Sequence, residues 1–468
     1  MDTISNRTFA ELKVGDSASL ARTLTRADIE LFAVMSGDVN PAHLDEEYAR
    51  GSMFHEVIAH GMWSGALVST VLGTQLPGPG TIYLGQSLRF LEPVGLGDTV
   101  TVLLTVTRLD PDKHRVTLDC TVTNQHGQQV ASGTAEVIAP TEKVARPRIA
   151  LPEVRLRERG GRYRALLAAA QDAPRVPTAV VHPVDTVSLL GAVEAARAGL
   201  IAPVLVGPEA KIRHAAAQAN VDLAPYRIVP TAHSHAAADA AVALARTGEV
   251  GAIMKGALHT DELMHAVVAR DTGLRTGRRI SHVFALDVPT YPRPLLLTDA
   301  AINIYPTLED KRDIVRNAIE LAHALGIAAP RVAILSALET VSPKIASTIE
   351  AAALCKMADR GQIEGAIIDG PMAFDLAVSE EAARTKGFVS PVAGRADILV
   401  VPDLEAGNML AKQLEYLAEA QVAGIVLGAR VPIMLTSRAD GPLARLASCA
   451  LASLLVRHAA AAAVIGSP

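Results

Sequence analysis

GMWSGALVSTVLGTQL, Gly61 to Leu76, contains no charged residue. A helix that is apolar all round has no face for solvent and must be buried, and this one is too short to span a bilayer. The surrounding chain therefore has to wrap it. Downstream, Val100, Val102, Leu104 and Val106 alternate with Thr99, Thr101, Thr105 and Thr107, and Val116, Leu118, Cys120 and Val122 alternate with Thr117, Asp119, Thr121 and Thr123. That period of two predicts half-buried antiparallel strands, joined by tight links at Asp110 to Lys113 and at His126 and Gly127. A buried helix against a sheet with one apolar face is an α+β layer in which the sheet curls around the helix.

Upstream lies SGDVNPAHLD, Ser36 to Asp45. The spacing predicts a helix over Arg26 to Ser36, with Ile29, Phe32 and Ala33 on one face and Gly37 ending it. Gly37 frees the backbone, Asp38 and Asn40 cap or turn locally, and Pro41 holds Asn40 extended. The loop that results keeps Asp38 and His43 still, and general acid/base chemistry needs a carboxylate and an imidazole held in that way. The same residues also read as a helix stop and a turn, with His43 paired to Asp45. Gly61 opens the buried helix, where free N–H groups and the positive end of the dipole can hold an oxyanion. His55 and His60 frame that helix, and His60, beside Gly61, can orient it.

These stretches, with GTIYLGQSLRFLEPVGLGDTV (Gly80 to Val100), resemble the MaoC-like (R)-specific enoyl-CoA hydratases from about residue 10 to about residue 139. The resemblance implies the hot-dog fold, Asp38 and His43 as the catalytic pair, Gly61 N–H on the thioester carbonyl, and Asn40 at the substrate. It also implies pairing of two such domains.

At 468 residues the chain has room for two or three domains. Half the residues are hydrophobic and the net charge is -5, which points away from a nucleic-acid binder. Cys120, Cys355 and Cys449 form no CxxC pair, so neither a disulfide framework nor a zinc site is implied, and a reducing cytoplasm fits. The first residues have early acids and no apolar core, unlike a signal peptide. The apolar C-terminal run, broken by Arg457 and His458, reads as a packed helix rather than a membrane span.

From 141 to 160 the alternation gives way to prolines and alternating charges, the pattern of an exposed linker. The expected division is 1–140, linker 141–160, and 161–468. In the last part, apolar runs such as TAVVHPV, APVLVG and RVAILSA alternate with amphipathic helical stretches. That is an α/β domain with a parallel sheet, long enough for two subdomains with a cleft between them.

At strand ends, where such sheets bind ligands, stand KGALHT, GLRTGRR, LTDAAINIYP, IIDGPMAFDLAV, VPDLEAGNMLAKQLEY and LTSRADG. Together they resemble the phosphate acetyl/butyryltransferase family over nearly all of 161–468. The reaction implied is acyl exchange between coenzyme A and inorganic phosphate, with no metal and no cofactor beyond the acyl-CoA and phosphate substrates. On that resemblance Ser437 meets the oxyanion and Arg438 the phosphate, while Lys255, Arg275, Asn303, Asp369 and Asn408 bind substrate. By position alone, Ser437 also reads as a helix N-cap. The chain has Ala444 where acetyl-specific members carry an aspartate, and GLRTG and SALETVSPKIAST (Ser336 to Thr348) look closer to the butyryl branch.

GPGTIYLG lacks the third glycine of a dinucleotide site and no GxxxxGKS/T occurs, so neither NAD nor ATP is indicated. His233 and His235 read as polar residues opening a helix. The expectation is a cytoplasmic, homo-oligomeric, bifunctional acyl-CoA enzyme. A hot-dog thioesterase, or one half kept as an acyl-CoA-binding module, are the rival readings.

Overall fold

The computed structural model describes residues 3–152, 154, 156, 160–171, 174–435 and 441–465. The chain divides into two compact units, 1–157 and 158–468.

In the first unit, strand β1 (Ser17–Thr23) leads into helix α1 (Arg26–Ser36), followed by α2 (Pro41–Leu44), α3 (Glu46–Gly51) and the apolar helix α4 (Gly61–Thr74). Four strands complete it: β2 (Ile82–Phe90), β3 (Thr99–Asp110), β4 (Arg115–Thr123) and β5 (Gln129–Ile138). The five-stranded antiparallel sheet has the order β1-β3-β4-β5-β2. Its buried side is the expected row of Val100, Val102, Leu104, Val106, Val116, Leu118, Cys120 and Val122, packed with Trp63, Leu67, Val68, Val71 and Leu72 of α4. Burying an aliphatic side chain of this size contributes about 1.5–3 kcal/mol. This is the hot-dog arrangement. Part of the segment read as linker belongs to this unit, since Ala145–Pro147 pairs with Thr3–Ser5.

The second unit holds one eleven-stranded sheet. Across it run Arg227–Pro230, Ile201–Gly207, Val176–Val181, Ala252–Lys255, Ile433–Met434, Gln421–Leu427, Ser281–Asp287, Leu295–Thr298, Ile398–Val400, Arg331–Leu335 and Ile367–Met372. The first five are mutually parallel, as are the last four. The two groups are joined by antiparallel pairings of Gln421–Leu427 and Ser281–Asp287, a departure from the uniformly parallel expectation. Connection length accounts for the pairings of Ser281–Asp287 with Leu295–Thr298 and of Gln421–Leu427 with Ile433–Met434, because residues 288–294 and 428–432 are too short for a crossover helix and must turn the chain back.

The last helix, Pro442–Ile465, is by length and composition apolar enough to cross a bilayer, but 56% of its most apolar window is buried. It packs on Gly161–Gln171 and on Gln421–Leu427 as a core helix.

Candidate functional sites

In the first unit the site is built by local capping. Thr25 and Asp28 form a capping box at the start of α1, and Gly37 ends it at φ 75°, a conformation glycine adopts without strain. Asp38 Oδ1 then accepts the Asn40 N–H at 3.1 Å, and Asn40 Oδ1 accepts the Ala42 N–H at 3.1 Å, starting α2. Asn40, expected at the substrate, thus spends its oxygen on the helix that carries His43.

His43 Nδ1 donates to the Ile58 carbonyl at 2.9 Å. A carbonyl only accepts, so this bond fixes the proton on Nδ1 and leaves the Nε2 lone pair for chemistry. The alternative pairing of His43 with Asp45 does not form, because Asp45 Oδ1 caps α3 by accepting from Glu47 and Tyr48 N–H. His60, 3% exposed, gives its Nε2–H to the Asp38 carbonyl at 3.1 Å. Its ring lies 3.9 Å from that of His43, tilted by 34°.

Gly61 opens α4 directly after His60, where its own N–H has no preceding helical turn to bond it. A Cβ on Gly61 would stand 3.1 Å from the Phe90 ring, so glycine keeps the approach to that amide open. A carboxylate, a tautomer-fixed imidazole and a helix N-terminus can together hold a water, move its proton and polarise a carbonyl. Asp38, His43 and His60 also place one donor atom each within 4.8 Å of one another. Of these groups, His43 Nδ1 and His60 Nε2 are already bonded to backbone carbonyls.

In the second unit a cavity of about 550 Å³ is lined by Arg275, Arg278, Arg279, Arg312, Asn303 and acids at the start of helix Leu308–Ala324. Most of its arginines are committed. Arg278 pairs with Glu320, Arg312 Nε stands 3.3 Å from Asp313, and Arg279 gives its Nε–H to Asn303 Oδ1 at 2.6 Å with Asp310 at 3.5 Å. Arg275 forms no ion pair among the described residues, and its guanidinium is the uncommitted cation of the cavity.

Asn303 is buried and donates to the Ile280 carbonyl at 2.9 Å and to Asp299 at 2.5 Å. The Asp299 carboxylate also accepts from Ala301 and Ile302 N–H, so TDAAIN folds around a buried anion. Asn408 donates to the Ala300 carbonyl at 3.3 Å, and a Cβ on Gly407 would come within 3.1 Å of Ala300 Cα. VPDLEAGN is therefore the seat on which that loop rests.

Of the expected substrate-binding residues, the fold brings Arg275 and Asn303 to this cavity, with Asn408 behind the loop. Lys255 ends its strand outside the lining, its Nζ near the Gly256 carbonyl. Asp369 sits on the edge strand Ile367–Met372, bonded to Gly370 N–H and away from the cavity. Ser437 and Arg438 lie outside the described residues. Ala444 is buried in the first turn of the last helix. Sequence reading passed over Arg279, Asp299, Asp310 and Asp313. The doubled arginine of GLRTGRR and the acids of TLEDKRD were the available signals.

Residues 11–129 match the family described as MaoC like domain, and residues 234–452 the one described as Phosphate acetyl/butaryl transferase. A phosphate acetyltransferase of Rhizobium meliloti is 64% identical over 304 residues, which cover 65% of this chain and 96% of that protein. A phosphate butyryltransferase of Clostridium acetobutylicum is 42% identical over 262 residues, 56% of this chain and 87% of that one. The crystal structure of a branched-chain phosphotransacylase from Enterococcus faecalis V583 matches with TM-score 0.54 at 31% identity, covering 60% of this chain and 99% of that one. The chain belongs to the phosphate acetyl/butyryltransferase family and carries a MaoC-like domain ahead of its transferase domain.

Proposed function

We propose that the protein is a bifunctional acyl-CoA enzyme. Its N-terminal unit hydrates 2-enoyl-CoA to (R)-3-hydroxyacyl-CoA, and its C-terminal unit exchanges an acyl group between coenzyme A and inorganic phosphate. The observation that carries the first activity is the joining of Asp38, the tautomer-fixed His43 and the Gly61 helix terminus in one site. Water held by the pair gives up a proton as its oxygen adds to C3, and a proton is returned to C2. The Gly61 N–H meets the negative charge that gathers on the thioester oxygen between those events.

For the second activity, a phosphate oxygen attacks the acyl carbon, the tetrahedral intermediate collapses, and the CoA thiolate leaves with the acyl phosphate as co-product. Arg275 supplies fixed charge for the phosphate. By family resemblance Ser437 and Arg438 add the oxyanion donor and a second guanidinium. The Rhizobium meliloti relative, at 64% identity and named for acetyl transfer, supports acetyl-CoA as a substrate despite Ala444. No metal or organic cofactor is required by either scheme.

Strand β2 ends the sheet with Ile82, Leu84 and Phe90 exposed. An open apolar edge of that kind is suited to pairing with a second copy, so we read the protein as a homo-oligomer. Coenzyme A substrates and three free cysteines fit the cytoplasm. The test is product analysis: crotonyl-CoA should give the (R)-3-hydroxy thioester, and acetyl phosphate plus CoA should give acetyl-CoA. The (S) product, or no acetyl-CoA, would refute the corresponding half.

A further inference from the structure

We infer that His60 is a positioning residue of the hydration site, holding the Asp38 loop and the His43 ring against the start of α4 as one rigid piece. The inference rests on the hydratase reading above. His60 touches all three parts of that site. Its Nε2–H is bonded to the Asp38 carbonyl at 3.1 Å, its ring stacks on His43 at 3.9 Å, and its backbone N-caps α4, with the His60 carbonyl accepting the Trp63 N–H. On its other side the ring meets Phe32 of α1 at 4.9 Å.

Packing alone would not select histidine here. His60 Nδ1 is buried with no partner, and a buried acceptor left unpaired is destabilising. A phenylalanine would fill the same stack between Phe32 and His43 without that penalty. What it would lose is the Nε2–H tether. Asp38 itself lies on an exposed loop, so the bond to its carbonyl is what ties that loop to the buried helix.

The experiment separates tether from stack. His60→Gln keeps a donor near the Nε2 position, and His60→Phe keeps the ring but no donor. With crotonyl-CoA, the Phe variant should lose kcat by about ten- to a hundredfold, the scale of a misplacement near 1 Å. Its KM should stay within about threefold and its melting temperature should not fall, whereas Gln should recover most of the kcat. Phosphate-dependent release of CoA from acetyl-CoA, made in the other unit, should be unchanged in both. A Phe variant with kcat within twofold of wild type would overturn the inference. So would equal loss in Gln and Phe accompanied by a lower melting temperature, which would assign His60 to packing. Wild type that fails to hydrate crotonyl-CoA would instead refute the hydratase reading.

Discussion

Arg279 donates its Nε–H to Asn303 Oδ1 at 2.6 Å, and the two side chains thereby commit each other. Asn303 becomes a brace between the strand at Ile280 and the buried Asp299. Among the described residues Arg275 is left as the cation of the cavity without an ion pair. A hydrogen bond to a charged group is worth about 1.5–3 kcal/mol, or roughly ten- to a hundredfold in binding. Arg275→Ala should therefore raise the phosphate KM by about that factor while leaving crotonyl-CoA hydration unchanged. Arg275→Lys should fall between, since lysine offers charge without the two-pronged geometry. Initial rates of CoA release against phosphate concentration measure both, and an unchanged KM in the alanine variant would remove Arg275 from the site.

Gly61 gives a second expectation. Its Cβ would press on the Phe90 ring at 3.1 Å, a side chain that can shift, so Gly61→Ala should fold with nearly unchanged melting temperature. The added methyl and the displaced ring should narrow the approach to the helix terminus. Loss of an oxyanion donor costs about a hundred- to a thousandfold in kcat, and partial obstruction should cost about tenfold or more. Full hydration activity in this variant would place the carbonyl elsewhere.

A third expectation concerns pH. His282 is buried beside Phe284, and desolvation pushes its imidazole down to about 4, with the charge of Asp299 opposing. The unfolded chain takes up this proton near pH 6.5. Between about 6.5 and 4 the unfolded state binds the extra proton, so this group's contribution is complete above 6.5 and is lost as pH falls toward 4. His282→Leu should flatten the decline of the melting temperature across that window. An equally steep decline in the variant would assign it to other groups.

What could be read from the sequence was local. The bounds of α1 followed from Thr25, Asp28 and Gly37, all within one helix and its caps. The buried faces of β3 and β4 followed from strict alternation. Asp38 and His43 share one tight loop, so their meeting was legible. The group that fixes His43, the Ile58 carbonyl, is backbone and leaves no mark in residue identity. The second unit shows the same limit at larger scale. Arg275, Asn303 and Asp369 all stand near strand ends, but only sheet order decides which of them meet, and that order places Ile367–Met372 at the far edge. Strand direction in the middle of the sheet depended on the short segments 288–294 and 428–432, whose significance lies in their length rather than their composition.

If one chain holds two independent active sites, wild type, Asp38→Asn and His43→Gln should differ in one of two assays and agree in the other. One follows loss of the enoyl absorbance of crotonyl-CoA without phosphate, and the other follows CoA release from acetyl-CoA with phosphate. Wild type should perform both. Each variant should lose hydration by about a hundred- to ten-thousandfold, the contribution of a general acid or base, and keep the phosphate-dependent release. Near-full hydration in both variants, or release of CoA from crotonyl-CoA by wild type without phosphate, would contradict the account.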